Sequence, residues 1–178
     1  MKKRPSLYIL FLATLALTAC STLDRSEAPQ VSSKAQWVVL PFANNTETPL
    51  AGSRAEAIAE GLLRSKGISK LRRTPASLQR EALFEPGDRM QQESALDWAR
   101  EQGAIYALTG RVDEWRYKVG VDGEPAVGIA LSIVDVPSGE TLWSGVGGKS
   151  GWSREALSAV AQQLMRKLLD SGLSARQD

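Results

Sequence analysis

Three consecutive strand-like segments in the second half of the chain limit the possible folds most strongly. Apolar residues recur at every second position from 127 to 133, which predicts a strand with one buried face. Asp122-Gly123 precedes it, and this pair is typical of a tight hairpin because a type I′ turn needs positive φ at both central residues. Residues 104–119 and 141–144 flank this strand, the latter after a second turn signal. The sequence therefore predicts a three-stranded antiparallel meander.

A further buried strand and an amphipathic helix precede the meander. The apolar run at 37–42 is closed by turn-forming residues at 43–46, which is typical of a buried strand that ends in a turn. Residues 53–56 (Ser-Arg-Ala-Glu) have the spacing of a capping box and predict the start of a helix. Apolar residues then recur at helical intervals until Gly67, which predicts the end of that helix.

Weaker patterns complete the order of the elements. Residues 68–74 predict an edge strand, residues 75–89 one or two short helical turns, and residues 94–102 a second helix. Ser153 can cap a last helix, whose apolar stripe ends near Gly172. The order is βα(β)αβββα, which predicts an α+β (α/β-like) fold: a small mixed sheet that contains the antiparallel meander and is backed by helices.

Composition and charge exclude several classes of function. The length of 178 residues fits one hydrophobic core. Without Lys2, Lys3 and Arg4 of the basic N-terminus, 19 basic residues face 20 acidic ones, a net charge of −1 that gives no footprint for nucleic acid. The chain has no histidine and a single cysteine. We therefore expect no His-based triad, no metal site, no cofactor and no internal disulfide.

The N-terminus predicts an export signal that ends at the single cysteine. A basic segment, an apolar stretch at 7–17 and a small-residue site at 17–20 (Leu-Thr-Ala-Cys) define residues 1–19 as a signal peptide that is too short to span a bilayer. The ending looks like the bacterial lipobox, which implies that Cys20 carries a diacylglycerol and further acyl chains as the first mature residue. The alternative is an ordinary signal with a chance cysteine.

The residues after Cys20 bear on location. Ser21 stands where sorting rules of enteric-type bacteria place an aspartate for inner-membrane retention, so the resemblance implies the outer membrane, periplasmic side. Residues 20–35 are rich in Ser, Thr, Ala and Pro and lack apolar periodicity, which predicts a flexible tether. We expect residues 36–174 to form a single globular periplasmic domain.

No motif indicates catalysis. Residues 145–148 (Gly-Val-Gly-Gly) lack the Lys-Ser/Thr ending of a phosphate loop, so a bend or a close packing contact is favoured. Asp113 and Glu114 are adjacent on a predicted strand and should point to opposite faces, which suits a solvated strand better than an acid–base pair. No serine has the context of a nucleophile. We expect the protein not to be an enzyme.

The five tryptophans call for another explanation. Four lie within predicted elements, where we expect core or subunit contacts: Trp37, Trp98, Trp115 and Trp143. Trp152 precedes the predicted cap Ser153 and has two interpretations. It can pack against Leu157 as a hydrophobic staple, or it can lie exposed among lipid headgroups. Spacing alone favours neither.

Several stretches resemble the PelC family of export lipoproteins. They are residues 37–46 (Trp-Val-Val-Leu-Pro-Phe-Ala-Asn-Asn-Thr) and 49–56 (Pro-Leu-Ala-Gly-Ser-Arg-Ala-Glu), followed by residues 106–110 (Tyr-Ala-Leu-Thr-Gly) and 139–144 (Gly-Glu-Thr-Leu-Trp-Ser). The similarity covers most of the chain after Cys20. Lipoproteins of the CsgG and LpoB types share a similar strand-Pro-Phe-x-Asn start.

The PelC resemblance implies a fold, an assembly and a partner. The fold would resemble the N-terminal domain of TolB. A ring of about twelve lipidated subunits would lie under the outer membrane at the periplasmic mouth of the β-barrel/TPR protein PelB. The acidic lumen of that ring would guide a cationic, partly deacetylated polysaccharide of the biofilm matrix, Pel, into the barrel. The family's lumen acid matches Asp122, with Glu124 beside it, and its membrane-facing aromatic matches Trp152. Asp122 can also simply form the turn.

Two other lipoprotein types are alternatives. An LpoB-like activator of a cell-wall synthase needs a long disordered arm to cross the periplasm, whereas about fifteen residues follow Cys20 before the predicted domain. A CsgG-like secretion channel needs amphipathic hairpins long enough to build a transmembrane barrel, and the sequence shows no such alternation.

Overall fold

The structure is a computed structural model that describes residues 21–75, 88–120 and 123–173, without the side chains of 88–91. Within these ranges the chain forms six strands and three helices. In chain order they are β1 (Ser21–Arg25), β2 (Trp37–Asn44), α1 (Ala51–Ser65), β3 (Leu71–Arg73), α2 (Asp88–Glu101), β4 (Tyr106–Tyr117), β5 (Pro125–Asp135), β6 (Thr141–Ser150) and α3 (Leu157–Gly172).

The strands of the described residues form one mixed sheet in the order β1-β6-β5-β4-β2-β3. β4, β5 and β6 are antiparallel neighbours, which confirms the predicted meander. β2 pairs in parallel with both β4 and β3, and β3 lies at the sheet edge, as predicted for residues 68–74. The α+β prediction of a small mixed sheet backed by helices is confirmed.

The helices cover the two faces of the sheet unequally. α1 and α3 pack on one face and bury the main core, which includes Trp37, Leu108 and Trp143. The inward residues of β5 lie at the predicted alternate positions: Val127, Ile129, Leu131 and Ile133. α2 packs on the opposite face over β2, where a smaller cluster includes Val38 and Ala99. The sheet is therefore buried on one face and only partly covered on the other.

β2 contains most of the first family-like stretch, and its pairing is irregular at Pro41. Pro41 has no N–H to donate, and the pairing of β2 with β4 shifts register between Val39 and Phe42. The buried carboxylate of Glu56 on α1 accepts the Phe42 N–H at 3.0 Å. A buried backbone donor that the shifted ladder leaves over thus obtains a partner from the neighbouring helix.

The predicted capping box at the start of the first helix is wrong. α1 begins at Ala51, and the residue before it, Leu50, has φ 60° and gives no side-chain cap. Glu56 bonds the Phe42 N–H of the sheet, whereas a capping box would use this side chain at the helix start. The Glu56 side chain, which the local pattern assigned to the helix cap, therefore makes a tertiary hydrogen bond instead.

The last helix also begins later than predicted. α3 starts at Leu157, after an N-cap residue, Ala156, that makes no side-chain hydrogen bond. Ser153 therefore does not cap the helix. The residues before it form a turn in which Arg154 has φ 66° and the Glu155 N–H donates to the Trp152 carbonyl at 2.9 Å. The helix ends at Gly172, as predicted.

Residues 20–35 were predicted to be a flexible tether, but part of this segment forms a strand in the structure. Ser21–Arg25 forms β1, which pairs antiparallel with β6, and Leu23 packs against the main core. Farther along, the Trp37 indole N–H donates to the Ser32 carbonyl at 2.9 Å. The other four residues of β1 are exposed, so backbone pairing and one side chain attach this strand.

The structure also bears on the second predicted helix, the segment 75–89 and the glycines at 145–148. The helix predicted at 94–102 is present as α2, and most of the segment 75–89 lies outside the described residues. The glycines at 145–148 serve close packing: a Cβ on Gly145 would lie 2.6 Å from the Trp143 ring, and one on Gly147 would lie 2.9 Å from Leu164. The interpretation of these glycines as a packing contact is confirmed.

Candidate functional site

Trp152 lies exposed at one end of the sheet, directly after β6. Its side chain is 60% exposed, and its backbone N–H donates to the Glu155 carboxylate at 3.1 Å. Since the helix begins at Leu157, Trp152 does not occupy the position before an N-cap that a hydrophobic staple requires. The geometry therefore removes the basis of the staple interpretation and leaves a large exposed ring.

Tyr117, the last residue of β4, lies beside the same turn. Its hydroxyl donates to the Glu155 carbonyl at 3.3 Å and accepts the Leu157 N–H at 3.2 Å. Glu155 also accepts a hydrogen bond from Gln163 of α3 at 3.1 Å. These bonds hold the turn at 152–156 against the end of β4, while half of the Tyr117 side chain stays exposed.

Two further apolar residues belong to this end of the molecule. Val119 follows β4 and is fully exposed, and Leu50 precedes α1 and is 61% exposed. The loop that carries Leu50 is attached to β4 through Thr48, whose hydroxyl donates to the Trp115 carbonyl at 2.5 Å. We call Leu50, Tyr117, Val119 and Trp152 the apolar end.

The residues predicted to line an acidic lumen belong to the hairpin between β4 and β5. Asp122 lies outside the described residues. Gly123 has φ 53°, the positive value that the predicted turn needs at this position. Glu124 is exposed, and its carboxylate lies 3.8 Å from the Lys118 ammonium, which also donates to Ser150. Lys118 therefore offsets part of the charge of Glu124.

The predicted lipidation residue, Cys20, also lies outside the described residues. Its neighbour Ser21 is the first residue of β1 and pairs with Lys149 near the end of β6, three residues before Trp152.

Of the residues at the apolar end, Trp152 could be singled out from the sequence, but Leu50, Tyr117 and Val119 could not. An apolar residue beside the end of a strand or the start of a helix has the same pattern as a core residue, and its exposure depends on the fold.

The other chemical candidates of the sequence form no constellation. Asp113 lies at a shift in the pairing of β4 with β5 and is ion-paired with Arg111 at 3.1 Å, while Glu114 is ion-paired with Arg116 at 3.0 Å. In the described part of the chain, no group of three or more Cys, Asp or Glu residues could hold a metal. No helix among the described residues is long and apolar enough to cross a membrane.

A shallow surface cavity of about 270 Å³ lies on the face of the sheet that α2 partly covers. Thr109, Arg111 and Ser132 are among its lining residues. The described residues that line it include no carboxylate and no cysteine.

The fold and surface define an α+β domain whose distinguishing feature is an exposed apolar end. The comparisons with known proteins identify its family.

Two solved structures resemble this chain over most of its length. The PelC dodecamer from Paraburkholderia phytofirmans is 43% identical, with a TM-score of 0.75, and the match covers 89% of this chain and 100% of that chain. A single-substitution variant of the same dodecamer in another crystal form gives the same identity and TM-score, with 88% of this chain and 100% of that chain covered. This chain belongs to the PelC family.

A more distant structure shares the fold. Lipoprotein GNA1162 from Neisseria meningitidis is 19% identical with a TM-score of 0.53, and the match covers 76% of this chain and 96% of that chain. No family model matches the chain, and no curated protein matches it. The family assignment therefore rests on the two PelC structures.

Proposed function

We propose that this protein is a lipid-anchored, ring-forming component of Pel-type exopolysaccharide export at the periplasmic side of the outer membrane. The observation that carries the proposal is the 43% identity to a PelC dodecamer over 89% of this chain and the whole of that one. About twelve copies form a closed ring, which meets a PelB-like β-barrel protein. The protein acts by position and charge and catalyses no reaction.

Anchoring depends on Cys20, the only cysteine of the chain. Residues 1–19 act as the signal peptide, and several acyl chains on Cys20 hold the mature protein on the membrane, because one chain alone binds only weakly. Cys20→Ser should abolish acylation and move the protein out of the membrane fraction. A Cys20→Ser variant that still partitions with the outer membrane would remove the anchor from the proposal.

Asp122 and Glu124 supply the acidic lumen. One carboxylate has a small effect in water, but the same carboxylate repeated around a ring gives a focused field that raises the local concentration of a cationic polymer. Lys118 lies 3.8 Å from the Glu124 carboxylate and offsets part of its charge. We therefore assign the larger part of the effect to Asp122.

The test is polymer export by cells that carry charge variants. Asp122→Lys should reduce secreted polysaccharide about tenfold while the ring still assembles, because about twelve reversed charges repel a cationic chain. Asp122→Asn should have a smaller effect. The matched control is Glu140→Lys, an equal change of charge at an exposed residue of the turn between β5 and β6, at the opposite end of the sheet. Equal secretion by the Asp122→Lys and Glu140→Lys variants would contradict the acidic lumen.

The position of β1 supports a PelC-type role over an LpoB-like one. An activator that crosses the periplasm needs a long free arm between its lipid and its domain. In this chain the residues that follow Cys20 pair with β6, so the domain stays close to its anchor.

A further inference from the structure

We propose that β1 fixes the lipid-bearing start of the mature chain beside the apolar end, so that Leu50, Tyr117, Val119 and Trp152 contact the lipid headgroup layer together. The inference rests on the acylation of Cys20 in the proposed function. The family resemblance already implies a membrane-facing Trp152; the new part is the positioning role of β1 and lipid contact by Leu50, Tyr117 and Val119.

The topology brings the anchor and the apolar end together. β1 is antiparallel to β6, and Ser21 pairs with Lys149, so the chain before Ser21 leaves the sheet where β6 ends. β4 ends and β5 begins at this same end, since Tyr117 pairs with Pro125, and the Gly151 N–H donates to the Pro125 carbonyl at 2.8 Å. Residues 117, 125, 151 and the start of β1 therefore share one end of the sheet.

Several contacts keep β1 in place. Leu23 packs against the main core, and Gly147 lies so close that its Cβ, if present, would be 3.0 Å from the Thr22 carbonyl oxygen. Ser26 extends the attachment, because its N–H donates to the Ser144 carbonyl at 2.9 Å and its hydroxyl accepts the Ser144 N–H at 3.0 Å. The anchor point is thus tied to the sheet by the backbone from Ser21 to Ser26.

Exposure of large apolar side chains is concentrated at this end. Among the described residues, six large hydrophobic side chains are exposed, and four of them form the apolar end. The other two are Ile105, before the start of β4, and Val146, in the middle of β6. An apolar surface at the end of the sheet where β1 begins fits a lipid surface, where Trp and Tyr are favoured at headgroup depth.

Charge at this end is compatible with a lipid surface. Lys149 and Arg154 supply cations that suit lipid phosphates. Glu124 and Glu155 are nearby, but Glu124 is paired with Lys118, and the Glu155 carboxylate accepts bonds from the Trp152 N–H and from a side chain of α3. Because β1 is paired with the sheet directly after the anchor, the domain does not rotate freely about its lipid, and the strands run away from the membrane.

The first experiment measures which end of the acylated protein contacts lipid. Cys20 is the only natural cysteine and is blocked by acylation, so a second cysteine accepts an environment-sensitive nitrobenzoxadiazole label at one site. Leu50→Cys and Val119→Cys report on the apolar end, and Ile105→Cys is the control beyond the opposite end of β4, a strand about 36 Å long. The proteins are reconstituted in phosphatidylethanolamine–phosphatidylglycerol vesicles with doxyl-labelled lipid.

Labels at 50 and 119 should be quenched about threefold more than the label at 105. Equal quenching at all three positions, in protein that floats with the vesicles, would overturn this proposal and leave the anchor intact. Protein that fails to float would overturn the anchor itself, and this proposal with it.

The second experiment tests whether β1 fixes the orientation. A Gly-Ser linker of about twelve residues inserted between Cys20 and Ser21 lengthens the connection before β1 and leaves the strand unchanged. The same linker between Glu27 and Ala28 is the matched control, because it adds equal length after β1. The first insertion should reduce quenching at 119 by about half, and the second should leave it unchanged. Equal effects of the two insertions would overturn the role of β1.

Discussion

Gly52 and Gly61 lie on the same helix, yet the structure gives them opposite surroundings. A Cβ on Gly52 would overlap the backbone carbonyl of Phe42, whereas a Cβ on Gly61 would meet nothing within 4 Å. Gly52 belongs to a stretch that resembles the family, and its close approach to β2 gives a physical reason for glycine there.

Alanine at these two positions should therefore change stability in opposite directions. Gly52→Ala should lower the free energy of unfolding by about 1–3 kcal/mol, because the clash is with backbone that cannot move aside. Gly61→Ala should raise it by about 0.5–1 kcal/mol through the better helix propensity of alanine. Thermal unfolding at one fixed protein concentration measures both. A stabilised Gly52→Ala variant would contradict the packing of α1 on β2.

Asp135 gives a prediction for the pH dependence of stability. The Ser138 hydroxyl and N–H donate to its carboxylate at 2.6 and 3.0 Å, and these bonds hold the pKa of Asp135 below its ordinary value of 3.8. The stabilisation is therefore complete above the unfolded-state pKa and is lost as the pH falls through the lower folded-state pKa. Asp135→Asn should melt earlier than the parent at about pH 6, and the difference should shrink below about pH 4. A difference that is constant over this range would contradict the assignment.

The sequence predicted the buried residues of β5 but not the hydrogen-bond partner of Glu56. The alternation from 127 to 133 identified the buried residues of β5, because burial on one face of a strand has a period of two. The partner of Glu56 could not be predicted, because the Phe42 N–H that it accepts is 14 positions away and is left over only by the shift in β2.

At the scale of the element, β1 is the strand that the sequence did not indicate. Residues 21–25 lack apolar alternation, and the pairing of this edge strand comes from backbone hydrogen bonds, which leave no trace in residue type; only Leu23 adds side-chain burial. The starts of α1 and α3 were missed for a similar reason, since neither N-cap residue makes a side-chain hydrogen bond. By contrast, the meander and the ends of the helices follow local turn chemistry and were predicted.

Removal of β1 should expose the edge of β6 and loosen the sheet locally. A soluble chain that begins at Ser26 should be less stable than one that begins at Ser21 by about 1–3 kcal/mol, mainly through the lost burial of Leu23. The amides of residues 145–149 should exchange faster with solvent. Leu23→Ala should reproduce most of the stability loss, and Thr22→Ala, a change at an exposed position, should not. Unchanged exchange in β6 would contradict the pairing.

At the scale of the whole molecule, the sheet order and the covering helices explain the α+β class. The sequence indicated this class from the order of its elements, although it could not show that β2 pairs with both β4 and β3. Subunit contacts depend on surfaces from several elements, so neither the local patterns nor one folded chain specifies the number of copies. That number comes from the PelC relatives and is the central part of the proposal.

The mass of the acylated protein, extracted in mild detergent and measured by native mass spectrometry, tests this central claim most directly. The proposed ring predicts a closed assembly of about twelve subunits. It should persist on dilution, because every interface in a closed ring is occupied and the release of one subunit breaks two of them. The charge variant Asp122→Lys should give the same number of subunits. A fully acylated protein that remains a monomer at every concentration would contradict the ring.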